Sequence, residues 1–366
     1  MGYHDRANTF GPCLVVGRKG SFGKVNFSKR PVFAIDTTFF VDRQFTNADL
    51  RWLYYVLSDA CLDSATKDSA IPGLDREDAY ARDVCICPED EQRAIAGFLD
   101  RETARIDALV AKKEELIGLL QEKRAALITH TVTKGLDPSA PMKDPGIEWL
   151  GKIPAHWDCL SLARVTLSRC DGPFGSGLKS EHYTDEGVRV VRLQNIGWAE
   201  FSDTDRAYLG EKYASELGDH SVIGDDLLIA GLGDEGHPVG RACIAPEGIE
   251  PAMVKADCFR FRLDLRRLLP QFAAYQLSAT AAAAAGSMST GATRSRMNLT
   301  VSASRKVAVP PRDEQYAIVK LLDRDGECLR AMVGRIRDAI ERLNELRTAL
   351  ISAAVTGKID VRGGAA

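Results

Sequence analysis

The sequence lacks the signatures that announce an enzyme. It has no His-Glu-x-x-His and no Gly-x-Ser-x-Gly. It also has no Asn-Pro-Pro-aromatic or Asp-Pro-Pro-Tyr run of the kind used to methylate an exocyclic base amine. Its 6 histidines are scattered, and its carboxylates single out no pair. Nothing in the chain therefore supports catalysis by this polypeptide. No apolar run reaches membrane length and no signal peptide opens the sequence, so no membrane role is expected. The 9 cysteines include no Cys-x-x-Cys, and an odd, unpatterned count suits a reducing cytoplasm. Cys85 and Cys87 lie in Val-Cys-Ile-Cys, where strand alternation would turn both to one face. They are read as core thiols, since a zinc site needs further ligands at hairpin spacing. There is also no excess of charge of one sign. The 48 basic and 51 acidic residues leave a net charge of −3, so global charge gives no pointer to nucleic acid.

What the sequence does contain is a repeat. Residues 88–101 open Pro-Glu-Asp-Glu-Gln and residues 311–324 open Pro-Arg-Asp-Glu-Gln. At this offset of 223 residues, 21 of the 50 positions from 88 to 137 are identical to their counterparts, with no gap. A period this long is a duplicated module and not a solenoid. Each copy reads as one long helix. Proline suits the first turn, and the acidic residues after it complement the positive end of the helix dipole. Gly135 and Gly357 stand near the expected stops. In the second copy Leu322, Leu329, Ile336, Leu343 and Leu350 recur every seven residues; in the first, Leu99, Ile106, Leu120 and Leu127 hold the same seam, interrupted by Lys113. A sustained seven-residue period keeps one stripe facing a partner helix. Two rods of about 65 Å, at 1.5 Å rise per residue, most simply pair with each other.

The segments before each rod are mixed. Strand-like runs occupy Val188–Leu193, Asp226–Ile229, Arg241–Ile244, Cys258–Leu263 and Lys306–Val309, and Leu268–Ala285 is Ala-rich and helical in pattern. Gly-Leu-Gly-Asp-Glu-Gly, 231–236, matches a dinucleotide fingerprint in letters only, because His237-Pro238 follows where a helix should start. Gly224, Gly233 and Gly236 instead match Gly11, Gly20 and Gly23 in spacing, which points to a repeated β-hairpin. The expected fold is α+β, organised as a partial first globular segment (1–87), a first rod (88–138), a complete second segment (139–310), and a second rod with tail (311–366). The first segment lacks a counterpart to the N-terminal half of the second.

Local charge is more informative than the total. Residues 1–30 carry Arg18 and Lys19 among six basic residues against one acid. Residues 286–306 carry Arg294, Arg296, Arg305 and Lys306 with no acid, beside Asn298. Arg260 and Arg262 alternate along a strand, and a Gly-rich loop, 171–180, contains Lys179. Arg192, Gln194 and Asn195 sit near a strand end. Basic side chains contact phosphate, and Arg, Gln and Asn also read base edges.

The chain resembles the specificity subunits of type I restriction–modification systems. The resemblance rests on the twin helix entrances and on Leu-Leu-Gln-Glu-Lys-Arg-Ala-Ala-Leu-Ile-Thr at 119–129. It rests equally on Gly-Ile-Glu-Trp-Leu-Gly-Lys-Ile-Pro-Ala-His-Trp at 146–157, and on Asp-Gly-Pro-Phe-Gly-Ser at 171–176 with Val-Val-Arg-Leu-Gln-Asn-Ile at 190–196. It implies two target-recognition domains, the first truncated here, alternating with two long helices that form an antiparallel coiled coil. Each domain would read one half of a bipartite site in double-stranded DNA, with the rods as a ruler for the gap. Two methyltransferase subunits would bring S-adenosylmethionine and adenine methylation. Restriction subunits would bring ATP, magnesium, translocation and cleavage, and this chain would hold no cofactor. The DNA contacts expected on that basis are Lys179, Arg192, Gln194, Asn195, Arg294, Arg296 and Asn298, with Arg18 and Lys19 from the partial half. The rival expectation is an interaction scaffold for the methyltransferase, with DNA reading impaired by the truncation.

Overall fold

The computed structural model describes residues 5–64, 73–173, 178–234, 236–288 and 296–361. The chain divides into two compact units, Met1–Ile117 with Met332–Ala366, and Gly118–Ala331. These units cut across the four sequence segments, because each rod gives one half to each unit.

In the first unit β1 (Cys13–Gly17), β2 (Val25–Ser28) and β3 (Thr38–Asp42) form an antiparallel sheet in the order β2-β1-β3. The β1–β2 hairpin turns through Gly20 and Gly23, both at φ +74°, a conformation that favours glycine. Helix α1 (Leu50–Asp59) follows, with the Asp49 carboxylate accepting from the Arg51 and Trp52 amides. After the short α2 (Arg76–Tyr80) comes the first rod, α3 (Glu89–Lys134).

The second unit begins with β4 (Met142–Lys143) paired to β5 (Ile153–Pro154). Then come β6 (Asp158–Ser161), β7 (Thr166–Cys170), β8 (Tyr183–Thr184), β9 (Val188–Val191), β10 (Tyr208–Leu209), α4 (Glu211–Glu216) and β11 (Ser221–Val222). The chain continues through β12 (Leu227–Ala230), β13 (Ala242–Ile244), β14 (Ala252–Val254), β15 (Cys258–Leu263), α5 (Pro270–Ala279), α6 (Ala281–Met288), α7 (Leu299–Ser304), β16 (Lys306–Val309) and the second rod, α8 (Arg312–Val355). One sheet runs β13-β12-β15-β7 and another β11-β14-β9-β10-β8; β16 pairs with β6. The β12–β13 hairpin repeats the β1–β2 hairpin, as the glycine spacing predicts. The Ala-rich stretch is two helices and not one, because the chain breaks at Thr280.

The rods run 46 and 44 residues and stop just before Gly135 and Gly357, at φ +79° and +71°. In both units they lie antiparallel. In the first, Ile95, Ala96 and Leu99 near the start of α3 pack with Ile351, Ala354 and Val355 near the end of α8. In the second, Ile318 and Leu322 near the start of α8 share a core with Ile128 and Val132 near the end of α3. The residues answer one another at the 223 offset: 95 to 318, 99 to 322, 128 to 351 and 132 to 355. In each unit one head helix lies in the same core, with Trp52, Tyr55 and Val56 of α1 in the first and Phe272 and Tyr275 of α5 in the second.

This explains why the helix entrance is written twice. Buried Gln92 accepts from the Asp49 amide (2.8 Å) and donates to the Cys87 carbonyl (2.7 Å). Buried Gln315 accepts from the Leu269 amide (2.8 Å) and donates to the Arg267 and Pro310 carbonyls. Asp49 and Leu269 are the N-cap residues of α1 and α5. Each glutamine thus ties the first turn of a rod to the head helix packed on it. About two turns further along each rod, Tyr55 donates to Asp100 and Tyr275 to Asp323, both at 2.7 Å. The identical residues of the repeat are therefore concentrated where a head meets a rod.

The heptad seam is less uniformly buried than its spacing suggests. Leu99, Ile106, Leu322 and Leu329 are buried, while Leu120, Leu127, Ile336, Leu343 and Leu350 are half-buried. Burial is deepest where a head helix adds a third layer; two helices alone leave their flanks wet. Leu109, Leu116, Met332 and Leu346 are exposed. Cys85 and Cys87 depart from expectation: residues 82–88 form no strand, Cys85 is exposed and Cys87 half-buried. No described strand pairs with this segment; Cys87 packs at the edge of the core shared by α1 and the two rods, while Cys85 stays exposed.

Candidate nucleic-acid interface

In the second unit, loops from five parts of the chain meet at one edge of the head. Strands β9 and β14 are parallel neighbours, so their C-terminal ends deliver Arg192 and Lys255 side by side. Tyr183 lies between the two cations. The Lys255 ammonium donates to the Tyr183 hydroxyl at 3.0 Å, and the Arg192 guanidinium stands 5.6 Å from the Tyr183 ring centroid. Gly172 packs so closely on this edge that a Cβ there would meet the Lys255 carbonyl carbon at 2.1 Å. Asp257 links the remaining loops. Its amide donates to Asp171 Oδ1 (3.2 Å), its carbonyl accepts from the Gly231 amide (2.7 Å), and its carboxylate pairs with Arg296 (3.0 Å).

The sequence-selected residues divide by this geometry. Gln194 is exposed, and among the described residues its side chain has no hydrogen-bond partner. Lys179 is exposed beside Glu181 (3.6 Å), and exposed Asn298 caps α7 by accepting from the Val301 amide (2.8 Å). Arg192 is half-buried and paired with Asp205. Asn195 is fully buried, and its amide is used inside the fold: Oδ1 accepts from the Arg192 amide, and Nδ2 donates to the Ser202 and Asp205 carbonyls, all at 2.8 Å. The expectation that Asn195 touches DNA is thus corrected: it shapes the loop that presents Gln194. Arg260 and Arg262, noted in the sequence for their alternation along a strand, are also engaged inside the fold. Arg260 is buried and bonded to Ser221 and Ser168, and Arg262 forms a bidentate pair with buried Asp226. Arg294 and residues 174–177 lie outside the described residues. Arg18 and Lys19 belong to the first unit, where the Arg18 guanidinium stacks on Phe39 and Lys19 bridges to Gly73.

Sequence reading missed the supports of these loops. Arg241 is buried, and its guanidinium donates to the carbonyls of Leu193, Ile196 and Leu232, holding two loops at once. Among the described residues no acid forms an ion pair with it, and burial pushes its pKa down. Lys255 and Tyr183 were also missed, because their meeting depends on the parallel β9–β14 pairing.

Asp171 carries an unusual charge state. Burial, aided by nearby Asp257, raises its pKa to about 6, against the opposing pull of its hydrogen bonds from the Gly172 and Asp257 amides. The folded chain therefore holds this proton more tightly than the unfolded chain. The group favours folding below about pH 4, and that contribution is lost as pH rises through 6. Both amides donate to Oδ1. Asp171→Asn keeps that acceptor and removes the buried charge. It is expected to stabilise the chain by on the order of 1 kcal/mol at pH 8, after allowing for partial exposure. Thermal melts from pH 4 to 8 should also become flatter than those of the parent.

Among the described residues no helix is long and apolar enough to cross a membrane, and no group of side chains could hold a metal ion. The fold defines a class: each unit joins a head to an antiparallel pair of half-rods, and the described residues offer no catalytic constellation. No protein-family model matches the chain. The Methanocaldococcus jannaschii type I restriction enzyme MjaVIII specificity subunit is 22% identical over 325 residues, covering 86% of this chain and 71% of that relative. The Escherichia coli EcoBI specificity subunit is 20% identical over 353 residues, covering 94% and 73%. The StySPI specificity subunit of Salmonella potsdam is 23% identical over 282 residues, covering 74% and 56%. In fold, the chain matches a type I R-M system chain with a TM-score of 0.67 at 16% identity, covering 98% of this chain and 85% of that one. It matches the HsdS subunit from Thermoanaerobacter tengcongensis with a TM-score of 0.50 at 15% identity, covering 98% and 84%. Over most of its length the chain is thus similar in sequence to specificity subunits of type I restriction enzymes, and it shares its fold with the two solved chains.

Proposed function

We propose that this chain is the DNA-reading subunit of a type I restriction–modification complex, a non-catalytic protein that chooses the site at which partner subunits methylate adenine and cleave. The observation that carries the reading is the loop edge of the second head, where Gln194 is exposed with no side-chain partner among the described residues, close in sequence to Arg192, which stands beside Lys255 at the paired strand ends. Gln194 reads a base edge. Lys179, Arg294 and Arg296 contact phosphate, and Arg192 with Lys255 holds Tyr183 ready for the backbone. The exposed apolar side chains on the rods, Leu109, Leu116, Met332 and Leu346, give two methyltransferase subunits a surface to dock on. S-adenosylmethionine, ATP and magnesium sit on the partner subunits, in a cytoplasmic complex.

The test separates reading from positioning. With the methyltransferase partner present, Gln194→Ala is expected to relax selectivity at one base pair, by about 1–3 kcal/mol. The double substitution Arg294→Ala with Arg296→Ala is expected to weaken binding on all sequences and reduce the salt slope by about 2. Binding measured across a salt series checks both. Unchanged binding in both variants would favour the scaffold role.

A further inference from the structure

The loop between β12 and β13 opens with Gly-Leu-Gly-Asp at 231–234, and it is fastened to the same edge as the cations. The Gly231 amide donates to the Asp257 carbonyl (2.7 Å), the Gly231 carbonyl accepts from the Met297 amide (2.8 Å), and Leu232 bridges to Arg296. Two buried arginines hold the rest of the loop. Arg241 donates to the Leu232 carbonyl at 3.0 Å. Arg305 donates to the Gly240 carbonyl at 2.8 Å, and to the Leu277 carbonyl and the Thr280 hydroxyl at the end of α5, both at 2.7 Å. Gly240, at φ +81°, leaves room for this: a Cβ there would meet Arg305 Nη1 at 2.9 Å. A loop fastened at both roots keeps its tip in place.

The tip presents an acid. Asp234 accepts from the Gly236 amide and from Nδ1 of His237, both at 2.9 Å. Both bonds use Oδ1, so Oδ2 has no donor among the described residues, and the side chain is 61% exposed. The His237 ring, aided by the Gly236 amide, holds the carboxyl below the usual carboxylate range. It is therefore ionised at neutral pH and can only accept. The turn does not need this carboxylate. The matching hairpin of the first head forms with Ser21 in its place, between Gly20 and Gly23. That loop is also shorter: 8 residues separate the paired Val16 and Val25, against 12 between Ile229 and Ala242.

A carboxylate on a DNA-facing edge repels phosphate and needs a donor. The donors that base edges offer in the major groove are the N4 amine of cytosine and the N6 amine of adenine. We infer that Asp234 is a specificity-determining residue of the second head, accepting at Oδ2 from the exocyclic amine of a cytosine or an adenine, with His237 positioning the carboxylate. This rests on the proposed DNA reading, and it assigns a second base contact beside that of Gln194.

The test compares the parent with Asp234→Ala, each assembled with the methyltransferase partner and offered a randomised duplex pool. One position that prefers cytosine or adenine in the parent should lose that preference in the variant, while the position read by Gln194 keeps its own. Duplexes are then made with pyrimidin-2-one for cytosine, or unsubstituted purine for adenine, at that position, so that only the amine is missing. Its loss is expected to weaken binding by the parent about tenfold or more, and binding by Asp234→Ala less than about twofold. A carboxylate that only shapes the loop would leave the variant as sensitive to the amine as the parent, and that result overturns the inference. An unchanged selection profile in Asp234→Ala overturns it too. His237→Ala should blunt the preference at the same position alone; a profile equal to the parent's overturns the positioning role. A parent that selects no sequence at all overturns the DNA reading itself, and this inference with it.

Discussion

Trp157→Ala is expected to lower the unfolding free energy by about 3–5 kcal/mol, the range for deleting a large buried aromatic. Trp157 is fully buried, and its ring stands edge-on to Phe272 of α5 with centroids 6.1 Å apart. Its indole N–H donates to Glu314 Oε2 at 2.9 Å, the same oxygen that meets the His156 ring at 2.8 Å. Glu314 belongs to the repeated helix entrance, so the start of the second rod is fastened to the opening of the second head. Trp157→Phe keeps most of the apolar contact and loses one hydrogen bond, and about 1–2 kcal/mol is expected from it. Urea unfolding of the three proteins gives the numbers. Near-equal losses in the two variants would show that the ring's packing contributes little.

Gln315→Ala is expected to cost about 2–4 kcal/mol. Removing the side chain strands the Leu269 amide and two carbonyls in a buried place, and each stranded group costs about 1–3 kcal/mol unless water reaches it. Gln92→Ala, with two bonds in place of three, is expected to cost less. Gln315→Glu is no remedy, since a carboxylate can still accept from Leu269 but would face the Arg267 and Pro310 carbonyls with no donor. The same unfolding series ranks them. Equal tolerance of Ala at both positions would contradict the joint described for the two entrances.

The rods were legible because their signal is periodic and repeated. An offset of 223 residues, proline at the first turn and glycine at the stop are local facts that tertiary context did not override. The heads were legible in part. The paired glycines announced both hairpins, and five strand runs fell close to where the chain forms them. Asn195 was misread because its letter type suits base reading, whereas its burial depends on the turn at 192–205 folding over it. That Arg260 and Arg262 are held inside the fold could not be seen either, because Asp226, their partner, is distant in sequence. Cys85 and Cys87 show the opposite error, an apolar strand pattern whose partner strand is absent from the described chain. Lys255 could have been found by asking which cation ends a strand parallel to β9, but parallel pairing has no short-range signal.

The account rests on the second head choosing DNA by sequence. The most direct measurement is selection from a randomised duplex pool by the chain assembled with its methyltransferase partner, followed by sequencing of the bound fraction. The account predicts enrichment of a defined half-site, with one position losing its preference in Gln194→Ala. A bound fraction as random as the input, at salt that suppresses phosphate-only binding, would contradict it.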